Sequence, residues 1–86
     1  MNRAILRSEI EQSETAFRDL ARASFSLARS QRLIAGHYRR EAREAEAMGH
    51  LARYRRYAGM ARQTFRTALE HLSWARHFRD LAERNL

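Results

Sequence analysis

The second half of the chain carries two apolar lines where one is enough to dock a helix, and this doubling most limits what the chain can become. Leu51, Tyr54, Ala58, Ala61, Phe65, Ala68, Leu72, Ala75, Ala82 and Leu86 recur at alternating spacings of three and four, broken only at Arg79. That period marks one face of a helix. Tyr57, Met60, Thr64, Thr67, His71, Trp74, Phe78 and Leu81 repeat the spacing on a second line, roughly 110° around the same helix. A helix with one apolar face settles against one neighbour. A second line calls for another: a second copy, a third helix or another macromolecule.

The first half has a heptad of its own: Leu6, Ile10, Ser13, Phe17, Leu20, Ser24, Leu27, Gln31, Ile34, Tyr38, Glu41, Ala45 and Met48. Small or polar residues interrupt it, but the period holds. Beside it runs one alanine per heptad, Ala21, Ala28, Ala35 and Ala42. Small side chains let a neighbouring helix approach closely, so this line is expected to be a packing edge. The chain has no proline and three glycines, and its alanine, arginine, leucine and glutamate favour helix over strand.

Gly49 follows the last periodic residue, a common C-terminal signal. The expected fold is therefore all-α: an antiparallel helical hairpin of two long helices in one domain spanning 1–86, resembling a coiled coil. Helix one covers about 3–48, the turn 48–50 and helix two about 50–85. Helix one starts after Asn2 or at Ser8, where Ser8-Glu9-Ile10-Glu11 has the pattern of a capping box. The alternative is a three-helix arrangement with a break near Gly36, whose middle helix would cover the second apolar line. Two helices make a thin core, and without cysteine there is no disulfide to staple it. Pairing through the Tyr57–Leu81 line would complete a four-helix bundle, so a homodimer is expected.

The net charge is +7 and all seventeen basic residues are arginine. Replacement that complete reads as the codon bias of a GC-rich genome. Residues 21–40 and 51–69 each hold five arginines and no acid. A hairpin turning at Gly49 lays 32–40 beside 58–66 and merges the two blocks into a band near the turn. Within it Arg39, Arg40, Arg53, Arg55, Arg56 and Arg62 alternate with Tyr38, Tyr54 and Tyr57. That mixture suits phosphates and stacked bases; it equally suits an acidic protein surface. A plain solvated face has the same look, since Arg18, Arg22, Arg29, Arg32, Arg39, Arg40 and Arg43 all lie opposite the apolar heptad. There is no zinc-finger spacing, no RNP-like strand motif and no helix-turn-helix pattern.

Catalysis finds no foothold. There is no Gly-rich phosphate loop, no His-Glu-x-x-His and no nucleophile elbow. His37, His50, His71 and His77 are scattered, with no i, i+4 pair to begin a metal site. No cofactor and no metal are expected. His71 reads as a polar interface group, and in a dimer its protonation would make assembly sensitive to pH. Glu41-Ala42-Arg43-Glu44-Ala45-Glu46 is a mixed-charge surface. Glu14 with Arg18 and Asp80 with Arg84 are helix pairs worth ~0.3–0.5 kcal/mol each.

No apolar run reaches the ~18–20 residues of a transmembrane helix, and the N-terminus has no continuous apolar stretch of the signal-peptide kind. A cytoplasmic protein without integral membrane association is expected. The face with Trp74, Phe78 and Leu81 suits a membrane surface poorly, because Glu70, Asp80 and Glu83 dilute it.

The function expected is that of a non-enzymatic protein-binding module, a regulator, adaptor or inhibitor that occupies a surface on a larger protein. Small, motif-free helical chains rich in alanine and arginine are common among phage and mobile-element products of that kind. Its contact residues would be Tyr57, Met60, His71, Trp74, Phe78 and Leu81, with Phe25 and Leu33 as a second contact. The alternative is a nucleic-acid-binding helical dimer that uses the arginine band.

Overall fold

The computed structural model describes the backbone of residues 3–84 and, within that span, every side chain except those of 3–6 and 8. Among the described residues there are two helices, α1 (Arg3–Ala47) and α2 (Leu51–Arg84), forming a hairpin. α1 runs unbroken through Gly36, which overturns the three-helix alternative. One glycine costs a helix only ~1 kcal/mol, too little to break 45 residues packed along one side. α1 also runs through Ser8, so it begins upstream of the capping-box pattern. The side chains of Leu6 and Ser8 and all of Leu86 lie outside the described residues.

The turn is built by the backbone. Gly49 adopts φ 75°, the left-handed region that glycine enters freely. His50 N–H donates to the Ala45 carbonyl (2.8 Å) and Gly49 N–H to that of Glu46 (3.0 Å). This pair of bonds is a Schellman motif, which satisfies carbonyls left open at a helix end. α2 starts at once, with Tyr54 N–H donating to the His50 carbonyl (2.9 Å).

Tyr38 stacks on Tyr57 across the pair (ring centroids 6.2 Å apart). This register is three residues tighter than a hairpin centred on Gly49, which would set Tyr38 beside Met60. The Schellman turn draws α2 back along α1. Carried along both helices in sevens, the register sets Ala28 level with Ala68, Ala35 with Ala61 and Ala42 with Tyr54. α2 is the shorter helix (34 residues against 45), so the first turns of α1 project beyond its end.

In α2 every buried residue belongs to the first apolar line, but in α1 the core lies mostly beside the heptad, of which only Ser24 and Ala45 are buried. The buried residues are Ala21, Ala28, Ala35, Ala42 and Ala45 of α1, Ala61, Ala68, Ala75 and Ala82 of α2, and Ser24. The alanine line is thus the centre of the interface, and not its edge. Ile10, Leu20, Leu27, Ile34 and Met48, all members of the expected seam, are exposed. The cause is steric. Alanine at every seventh position lets two helices approach closely, and close approach favours placing large side chains on the flanks, where they are exposed or half-buried.

α2 obeys the same rule. Its first apolar line contains the buried Ala61, Ala68, Ala75 and Ala82 and faces α1, while the second runs along one flank of that contact. Tyr54, Ala58 and Leu72 of the first line are half-buried, as are Tyr57, Met60, Thr64, Thr67, His71, Phe78 and Leu81 of the second. The second line is therefore not left wholly free, as the spacing alone suggested. Trp74 is its exposed member, at 55%.

The resulting rod measures 71 × 14 × 12 Å. Its radius of gyration is 19.9 Å, against about 12 Å for a compact domain of this length.

Candidate protein-binding faces

Counting from the alanine line defines two long faces. In α1, Phe25, Arg32 and Arg39 follow a core alanine by four residues, while Leu20, Leu27 and Ile34 precede one by a single residue. These two sets fall on opposite flanks. In α2, Phe65, Leu72 and Arg79 stand on the first kind of flank, and Met60, Thr67, Trp74 and Leu81 on the second. Like flanks meet in this antiparallel pair, as the grouping of Phe25 with Phe65 and Leu72 around one hollow demonstrates.

The first face is basic. Phe25 and Leu33 of α1 and Phe65, Leu69 and Leu72 of α2 line an open hollow of about 710 Å³, together with Arg29 and Arg32. A second hollow continues it toward the turn and shares Phe65. Tyr54 and Ala58 line it, with Arg39, Arg43, Glu46 and Arg62 at its rim. Every arginine of α1 from Arg18 to Arg43 lies on this flank or on the back of the helix. Leu33 is 72% exposed, in a hollow whose lining is apolar apart from Arg29 and Arg32.

The second face is nearly neutral. On α1 it presents Leu20, Ala23, Leu27, Ser30, Ile34 and His37, with no charge along that stretch. On α2 it presents Met60, Gln63, Thr67, Trp74, His77 and Leu81, and Glu70 is the charge among them. The Trp74 ring stacks on Phe78 (5.8 Å between centroids, planes 25° apart) and meets His77 edge-on. The Thr67 hydroxyl donates to the carbonyl of Gln63 (3.1 Å) and is satisfied within its own helix.

The contact residues expected from sequence distribute as follows. Tyr57, Met60, His71, Phe78 and Leu81 are half-buried along the neutral face, with Trp74 standing proud of them. Phe25 and Leu33 lie together in the basic hollow. Phe65, Leu69 and Leu72 join them there, beyond the contacts expected from sequence, and the signal for them is their own four-three spacing beside arginines. The arginine band divides. Arg39 and Arg62 rim the basic groove and Arg55 shares their flank. Arg53 and Arg56 fall on the neutral side near the turn, and Arg40 points to the back. All six are exposed.

Arg18 and Glu14 form an ion pair, the one closed pair among the described residues; Asp80 and Arg84 do not meet. Among the described residues no three His, Asp or Glu side chains cluster closely enough to hold a metal ion, and no helix is long and apolar enough to cross a membrane. The chain matches no protein-family model, no curated protein and no solved structure.

Proposed function

We propose that the chain is a non-enzymatic protein-binding module that works as a homodimer and acts by occupying a surface on a larger protein, as a regulator, adaptor or inhibitor. The observation that carries this reading is that, among the described residues, alanine and one serine are the only buried ones, while leucine, isoleucine, phenylalanine and tryptophan line the flanks. The chain exposes 7018 Å², against about 5,300 Å² for a compact monomer of its mass. The excess of about 1,700 Å² is twice what one partner buries in a standard interface of ~800 Å² per side. A chain of this shape has area for a second copy and for a target.

The neutral face suits the second copy. Away from Arg53 and Arg56 near the turn, each copy brings one charge, Glu70, to such a contact, and Leu20, Leu27, Ile34 and Trp74 supply apolar area to a four-helix bundle. A second reading is a nucleic-acid-binding helical dimer. The grouping of Tyr54 with Arg39, Arg43 and Arg62 around one hollow favours it.

Light scattering over a range of concentrations, at low and high salt, tests the assembly, and affinity capture from nuclease-treated lysate of the producing cells tests the target. A species of twice 10.2 kDa that survives high salt, with a protein retained after nuclease treatment, is the expected result. A monomer at every concentration that retains no protein would end this reading. Steep weakening of RNA or DNA binding by salt, with binding abolished by Arg55→Glu plus Arg56→Glu, would install the second.

A further inference from the structure

We infer that the basic face is a groove for an acidic amphipathic helix of the partner protein, an inference that rests on the protein-binding reading above. The two hollows lie along one flank, with Phe65 lining both. Together they reach from Phe25 to the level of Glu46, roughly 30 Å at 1.5 Å per residue. That is the length of a helix of about 20 residues, or three heptads. The floor of the groove is the alanine line, which keeps it shallow, and its walls are Phe25, Leu33, Phe65, Leu69 and Leu72. A helix that sets apolar residues at i, i+3, i+4 and i+7 against these walls completes a three-stranded bundle.

Charge selects the occupant. Arg29 and Arg32 stand on one side of the apolar floor, and Arg62 on the other, with Arg39 and Arg43 farther toward the turn. Glu46 is the one acid lining either hollow. A helix with Asp and Glu beside its apolar stripe meets guanidinium groups on both flanks, where forked donors grip carboxylates. A second copy of this chain would bring arginine against arginine here. A nucleic acid would satisfy the arginines and leave Leu33, Leu69 and Leu72 against water or sugar. The apolar walls therefore distinguish a helix from a phosphate backbone.

The test uses a dye-labelled 21-residue helical peptide with leucine on its apolar stripe and glutamate on both flanks. Its partner peptide carries lysine in place of glutamate, and the full chain is titrated by fluorescence anisotropy. The glutamate peptide is expected to bind with Kd on the order of 10 μM, and the lysine peptide at least ten-fold more weakly. Leu33→Ser with Leu69→Ser, both exposed residues, should cost at least ten-fold while circular dichroism stays unchanged. Arg29→Glu with Arg32→Glu should reverse the preference, so that the lysine peptide binds better. Absence of binding, equal binding of the two peptides, or indifference to the leucine pair would overturn the inference. So would a 21-nucleotide RNA that binds more tightly and displaces the glutamate peptide. If the peptide fails but nuclease-resistant protein capture persists, this groove is not the docking site and the protein-binding reading stands. If both fail, both readings fall.

Discussion

Tyr38 stacks on Tyr57 across the helix pair, the ring planes 26° apart, and the stack sets which residues meet along the rest of the rod. Repeated in sevens away from the turn, the same kind of level sets Gln31 with Thr64, Ser24 with His71 and Phe17 with Phe78. Between these levels, alanine meets alanine. The pair is thus held by close backbone approach at the alanine levels and keyed by side chains that differ from level to level at the others. A slip of one heptad would part the tyrosines and carry their rings to levels now held by polar residues, which is how a few distinctive positions fix register in a repetitive sequence.

The alanine levels should be intolerant and the leucine flank forgiving. Ala35 and Ala75 are exposed by 1% and 0%. Ala35→Leu forces the helices apart and should cost about 1–3 kcal/mol, the range for overpacking. Leu27→Ala, at a site 49% exposed, should cost the isolated chain less than about 1 kcal/mol, because a surface site leaves no cavity. Urea denaturation at low concentration measures both. The reverse order would move the core back to the leucine line.

This contrast also explains how far the sequence could be read. The hairpin was legible because the period holds on both sides of Gly49 and nothing else in the chain stops a helix. The core was not. Periodicity weighted by hydrophobicity finds the line with the largest side chains, and here Leu20, Leu27 and Ile34 outweigh Ala21, Ala28 and Ala35. Yet a line of one alanine per heptad on each helix signals close approach, and close approach excludes the leucines that dominate the pattern. Phe25 and Leu33, expected as a second contact, line a hollow together. Their relation to Phe65 and Leu69 depends on a register that only the tight turn defines.

The three glycines should respond to alanine with opposite signs. A Cβ at Gly36, Gly49 or Gly59 would meet nothing within 4 Å, so only the backbone decides. At Gly49, with φ 75°, alanine must adopt the left-handed conformation, which costs about 1–2 kcal/mol. At Gly36 and Gly59, inside helices, alanine should stabilise by up to ~1 kcal/mol. Thermal melts of the three variants check this. A neutral Gly49→Ala would mean that the Schellman turn does not limit stability.

Gln31 is half-buried, and its Oε1 is buried without a hydrogen-bond partner. A buried unsatisfied acceptor costs about 1–3 kcal/mol. Gln31→Met keeps the length of the side chain and removes the polar group, so it should raise stability by about 1 kcal/mol in chemical denaturation. The register should become less strict in exchange, since a polar group at a core level disfavours alternatives. A loss of stability would show that the amide is bonded in solution, with the Thr64 hydroxyl, at the same level, as a candidate donor.

The two faces can be told apart by placing the same charge on each. Leu27 stands on the neutral face, and Leu33 is beside Arg29 and Arg32 on the basic one. If copies pair through the neutral face, Leu27→Glu puts carboxylates from both chains into an apolar contact, where a charge without a partner is strongly disfavoured. Dimerisation should weaken at least a hundred-fold. Leu33→Glu adds a carboxylate among guanidinium groups, away from that contact, and the dimer should persist unchanged. Sedimentation equilibrium of the two variants reads the difference directly. A dimer lost with Leu33→Glu and kept with Leu27→Glu would assign self-association to the basic face, and would leave the neutral face, with Trp74 at its centre, as the surface for the target.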